Sequence, residues 1–127
     1  MFKRIDHIEI TPSNYQESLK FYQNILQFEI LKEVEVNNPP LLKVVFLTLG
    51  NTKLELLKFE ETRQNESSKQ DVGYRMMGLE VEDMDEAIQY LENKNVDITW
   101  GPVDVGGTKR AEFQDPDGLN IELREWS

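Results

Sequence analysis

The hydrophobic positions of the chain fall into two successive runs of the same pattern. Ile5, Ile8 and Ile10 mark a short strand that stops at Thr11-Pro12, because proline disfavours helical geometry in the residue before it. His7 shares one face of that strand with Ile5 and Glu9. Ser13-Asn14-Tyr15-Gln16 then reads as a capping box, and Tyr15, Leu19, Tyr22 and Leu26 recur at the spacing that puts them on one helical face. Three strands follow, Phe28 to Val36, Leu41 to Leu49 and Lys53 to Phe59, separated by Asn37-Asn38-Pro39-Pro40 and Gly50-Asn51-Thr52.

The second run repeats the first. When His7 is set on Met76 without gaps, Ile8 falls on Met77, Ile10 on Leu79, Asn14 on Asp83, Glu17 on Glu86, Leu19 on Ile88 and Phe21 on Tyr90. Asp83-Met84-Asp85-Glu86 caps a helix with the stripe Met84, Ile88 and Leu91, and Asn95 is its left-handed stop. Strands are expected over Asp97 to Trp100, Thr108 to Gln114 and Leu119 to Trp126, with turns at Gly101-Pro102, Gly106-Gly107 and Asp115-Pro116-Asp117-Gly118. The polar stretch Glu60 to Gly73 reads as an exposed linker. The fold class is therefore α+β, a single domain over 1–127 with a module over about 1–60, a linker over about 61–73 and a module over about 74–127, since a unit of about 60 residues buries little surface alone.

Composition narrows the function. Fourteen Lys and Arg against 24 Asp and Glu give a net charge of −10, with no basic stripe, which argues against nucleic acid as a partner. No apolar run is long enough to span a membrane, and no apolar segment follows the basic residues near the N-terminus, so a cytoplasmic protein is expected. With no cysteine, thiolate chemistry is excluded and imidazole and carboxylate remain as metal donors.

The candidate chemistry sits at matched positions of the repeat. Lys53-Leu54-Glu55-Leu56 answers Asn120-Ile121-Glu122-Leu123, so each module offers one early and one late position to a shared centre. Taken singly, a glutamate in such a strand is usually solvated and a strand histidine usually structural. Duplication changes that balance, because His7, Glu55 and Glu122 are all metal-ligand types at equivalent places. Met76, opposite His7, is not. Arg75 and Arg110 are candidates for contact with an anionic substrate, although a strand-edge arginine is ordinarily a surface residue. Asp115 and Asp117 are better explained as turn formers than as catalytic groups. Phe46, Tyr74, Met76, Trp100 and Phe113 are candidate walls of a binding site, with core packing as the plainer reading.

The tandem strand-helix-three-strand pattern resembles the vicinal oxygen chelate superfamily, which includes glyoxalase I, methylmalonyl-CoA epimerase, extradiol dioxygenases, fosfomycin-modifying enzymes and bleomycin-binding proteins. The motifs that carry the resemblance are Phe21-Tyr22, Gly101-Pro102, Gly106-Gly107-Thr108 and, above all, Phe113-Gln114-Asp115-Pro116-Asp117-Gly118-Leu119-Asn120-Ile121-Glu122-Leu123. It implies two βαβββ modules forming an open, curved cup around a divalent metal, Ni²⁺, Zn²⁺, Mn²⁺ or Co²⁺. The glyoxalase I ligand pattern carries over as His7, Glu55 and Glu122, with the fourth position taken by Met76, a soft thioether not expected to ligate such ions. A dioxygenase, which needs a second histidine there, is disfavoured.

The resemblance further implies proton abstraction next to a carbonyl, with a metal-stabilised enediolate and Glu122, then Glu55, as the base. The substrate is a small carbonyl compound or thiol adduct. Two alternatives remain open: a methylmalonyl-CoA-epimerase-like enzyme, for which no Lys/Arg cluster for CoA phosphates is evident, and a metal-free drug or metabolite binding protein of the bleomycin-resistance type, which Met76 favours. A homodimer is expected.

Overall fold

In the computed structural model, residues 1–66 and 68–127 are described, so Ser67 of the expected linker lies outside the described residues. The chain divides into two compact units, Met1–Asn65 and Glu66–Ser127. In the first, β1 (Ile8–Ile10) leads to α1 (Tyr15–Lys20), which runs into a π-helical turn (Phe21–Ile25), and then to β2 (Glu29–Asn38), β3 (Leu41–Leu49) and β4 (Thr52–Phe59). The sheet order is β1-β4-β3-β2, with β1 parallel to β4 and the other pairs antiparallel. The second unit repeats this with β5 (Met77–Glu80), α2 (Met84–Asn93), β6 (Ile98–Val105), β7 (Thr108–Gln114) and β8 (Asn120–Glu125), in the order β5-β8-β7-β6. Each unit is thus one βαβββ module, and the α+β class expected from the sequence stands.

Alternation decides which residues of each sheet reach the core. Val45 and Leu47 of β3 and Leu54 and Leu56 of β4 are buried, as are Tyr15, Leu19 and Tyr22 of the helical segment. Burying one such leucine contributes roughly 1.5–3 kcal/mol. Because side chains alternate along a strand, Lys53, Glu55 and Leu57 lie on the face opposite Leu54 and Leu56. In the second unit Ala111, Phe113, Ile121 and Leu123 are buried with Met84 and Leu91, which leaves Arg110, Glu112, Glu122 and Arg124 on the opposite face. Phe113 is therefore core, not a wall of a binding site, and Tyr74 is fully exposed.

The helix caps correct one detail. Asn14, not Ser13, is the N-cap of α1, and its side chain accepts a hydrogen bond from the Glu17 backbone N–H at 3.1 Å. Asp83 caps α2 in the same way through Glu86 N–H at 3.0 Å, so the two modules keep one register through the cap. The π-helical turn widens the helix at Phe21 and leaves Leu26 only partly buried, so the apolar stripe ends at Tyr22. Asn95 adopts the left-handed conformation expected of it, and Gln27 does so unannounced by its residue type.

Candidate metal centre

β1 begins one residue later than the position of interest. His7 directly precedes Ile8, and Glu9 pairs in register with Glu55 of the parallel strand β4. Because His7 and Glu9 are two residues apart on an extended edge, both side chains project to the face that carries Glu55. His7 Nε2 lies 2.9 Å from Glu9 Oε2 and 3.2 Å from Glu55 Oε2. On the other side of the ring, Nδ1 donates to Asp6 Oδ2 at 3.0 Å. Glu55 is 16% and His7 30% exposed, whereas Glu9 is 52% exposed.

The three carboxylates favour the protonated form of the imidazole. The hydrogen bond from His7 to Glu9 raises the histidine pKa above its usual value, helped by the one to Asp6, and the latter also keeps Asp6 below the usual carboxylate range. A histidine pKa raised by folding stabilises the metal-free protein fully below about 6.5, and that contribution is lost as pH climbs through the raised value.

The corresponding place in the second unit is built differently. Met76 directly precedes β5 as His7 precedes β1, and Gly78 pairs with Glu122 as Glu9 pairs with Glu55. A Cβ at Gly78 would stand 3.3 Å from Glu122 Oε2, so the glycine leaves that carboxylate room. Arg110 Nε donates to Glu122 Oε1 at 2.8 Å, and Arg124 Nη2 lies 3.2 Å from Oε1 and 3.1 Å from Oε2. The two guanidinium groups stack in turn over Trp100 and Trp126, at 5.5 and 5.0 Å from the ring centres. Arg75 lies 3.7 Å from Glu112, which is buried. Asp115 accepts from the backbone N–H groups of Asp117 and Leu119, both at 2.9 Å, as a turn former does.

Of the residues singled out in the sequence, His7 and Glu55 stand together in the first unit, while Glu122 is engaged by arginines in the second. Glu9 was missed. The signal was present in its two-residue spacing from His7, which fixes a shared face, but a single exposed glutamate looks like any solvated one. Arg124 was also missed, because nothing in the sequence says that it shares Glu122 with Arg110.

The donor set of the first unit fits a divalent ion. Ligands held about 2.0–2.2 Å from such an ion stand roughly 2.8–3.6 Å from one another between octahedral and tetrahedral angles, a range that contains the 2.9 and 3.2 Å separations around His7 Nε2. His7, Glu9 and Glu55 offer donor atoms all within 4.8 Å of one another. A metal-binding histidine commonly gives its second ring N–H to a carboxylate, which fixes the tautomer and the ring plane, and Asp6 is so placed. The negative charge of Asp6, Glu9 and Glu55 outweighs nearby Lys53, whose Nζ is 3.8 Å from Asp6, and so favours a cation.

Comparison with known proteins agrees with this architecture. The chain is 34% identical to the uncharacterized protein YaeR of Escherichia coli, over 97% of this chain and 96% of that protein. It is 30% identical to the metallothiol transferase FosB of Staphylococcus saprophyticus, over 97% of this chain and 77% of the other. The structure of the trypanothione-dependent glyoxalase I of Leishmania major superposes with a TM-score of 0.76 at 30% identity, covering 98% of this chain and 87% of that one. The family model for the glyoxalase/bleomycin resistance protein/dioxygenase superfamily matches residues 4–123, nearly the whole chain. The chain belongs to that superfamily, whose members typically bind a divalent metal and act on or bind small molecules.

Proposed function

We propose that this protein is a glyoxalase-I-like, metal-dependent lyase or isomerase acting on a small carbonyl compound or a thiol adduct of one. The observation that carries the reading is His7, its Nε2 facing Glu55 at 3.2 Å and its Nδ1 tied to Asp6. In this reading His7, Glu55 and Glu122 are the metal ligands, and the ion is Ni²⁺, Zn²⁺, Mn²⁺ or Co²⁺. Bound there, the ion supplies Lewis-acid stabilisation of the oxygen that gains charge beside the deprotonated carbon. The chain's own work is to take the proton.

Glu122 and Glu55 are the two candidate bases, and we place Glu55 first on the strength of what surrounds each. Both oxygens of Glu122 lie against guanidinium groups, whereas Glu55 faces only the His7 ring among the ion pairs of the described residues. We therefore assign the base to Glu55, and the anchoring of an anionic substrate group to Arg110 and Arg124, which Glu122 holds in place. Similarity to a metallothiol transferase and to a trypanothione-dependent glyoxalase I supports a thiol-adduct substrate. One observation favours a second reading, a metal-free binder of a drug or metabolite: Met76 stands where the repeat calls for a second histidine.

Melting experiments separate the two. In excess Zn²⁺, Ni²⁺, Mn²⁺ or Co²⁺ the melting temperature of the wild type is expected to rise, because the folded site binds the ion and the unfolded chain barely does. His7→Ala should abolish the rise. The ion must displace the Nε2 proton, so with a raised His7 pKa the metal-induced gain should be small below about pH 6.5 and grow as pH climbs above it. A melting curve that no ion shifts at any pH supports the binder instead.

The protein is also proposed to be a homodimer within a cytoplasmic setting, and its chain one domain with a linker at 61–73 between the modules. The supporting observation is the exposed apolar side chains of each unit, Phe2 and Ile5 in the first and Val72 and Tyr74 in the second. Sedimentation equilibrium is expected to return twice the chain mass at micromolar concentration. A monomer throughout that range removes the proposal.

A further inference from the structure

We infer that Glu9 is a metal ligand, so that the first unit alone supplies three donors, His7 Nε2 and one oxygen each of Glu9 and Glu55. The inference rests on the metal-dependent reading above and adds a ligand to it. Three observations lead to it. Glu9 Oε2 is nearer to His7 Nε2, at 2.9 Å, than the Glu55 oxygen is at 3.2 Å. Strand register sets Glu9 directly beside Glu55, and two-residue alternation gives it the face of His7, so the backbone itself brings all three side chains to one face. The repeat supplies the third: the positions matching His7 and Glu9 in the second unit are Met76 and Gly78, neither of which offers a donor suited to these ions.

The two modules have therefore diverged. One keeps imidazole and two carboxylates with a third carboxylate, Asp6, behind the ring. The other surrounds Glu122 with Arg110 and Arg124. Losing a donor at Met76 and gaining one at Glu9 leaves the count of imidazole and carboxylate donors unchanged, at the expense of one imidazole. Exchanging imidazole for carboxylate shifts preference toward harder ions, so Mn²⁺ gains ground relative to Ni²⁺. As a bare surface ion pair, by contrast, Glu9 would matter little, since such pairs contribute about 0–1 kcal/mol.

Titration calorimetry of the full chain with Zn²⁺ and with Mn²⁺ tests this. Wild type is expected to bind one ion per chain. Glu9→Gln should weaken binding at least about tenfold, the lower end of what even a ligand-supporting residue costs, while Glu9→Asp should recover part of the loss. Glu9 is largely exposed, so both variants should melt as the wild type does without metal. The deficit of Glu9→Gln must persist in about 1 M salt, where charges act over only about 3 Å, because a residue acting through its field alone would lose its effect there. If wild type binds, His7→Ala does not, and Glu9→Gln binds as tightly as wild type or differs only at low salt, Glu9 is no ligand and the wider metal reading survives. If wild type binds neither ion, both fall together.

Discussion

Glu55→Gln is expected to lower turnover of a hemithioacetal by about 10²–10⁴-fold at saturating metal, the range that a positioned general base contributes. The substitution keeps the shape of the side chain and removes its charge together with its basicity. Saturating metal matters because Glu55 is also a proposed ligand, and the weakened binding must be overcome before the proton step is read. Glu122→Gln should behave otherwise. Its loss frees Arg110 and Arg124 from their shared partner, so the expected change is in KM and in the metal concentration required, with turnover largely recovered when both are raised. The opposite result, turnover lost in Glu122→Gln and kept in Glu55→Gln, assigns the base to Glu122. Absence of turnover in the wild type, with metal bound, removes the lyase reading and leaves a binding protein.

The fold was legible because each module satisfies several local rules at once. Leu41 to Leu49 and Thr108 to Gln114 are observed as strands with the bounds expected from turn residues on either side. Asp83 and Asn95 bracket α2 as a cap and a left-handed stop should. Boundaries slipped where tertiary pairing outruns local signals. β6 runs from Ile98 through the Gly101-Pro102 turn to Val105, because pairing with β7 resumes at Val103 after a register shift that the sequence read as the strand's end. The site was legible only in part. Repeat symmetry pointed to His7, Glu55 and Glu122, but symmetry speaks of matched positions, and the informative features lie where the modules differ. Glu9 against Gly78, and Arg110 and Arg124 around one glutamate only, are contacts across strands whose register the sequence does not state.

Met76→His is expected to tighten binding of Zn²⁺ and Ni²⁺ by roughly tenfold to hundredfold, the scale on which residues around a metal govern its affinity. Met76 precedes β5 as His7 precedes β1, and Ile8 pairs with Leu54 as Met77 pairs with Ile121, so the substitution returns an imidazole to the position its own repeat specifies. A thioether is a poor ligand for these ions, whereas imidazole suits them, which makes the change one of donor chemistry at a fixed backbone place. The gain has an opposing cost: Glu122 must give up part of its pairing with Arg110 and Arg124 to accept a new neighbour, and this places the expected value nearer tenfold. Weak hemithioacetal isomerase activity should rise with the affinity. Calorimetry that finds parent and variant equal for both ions would show that the Met76 position does not reach the metal, and the fourth place in the ligand pattern would then have to be given up for this chain.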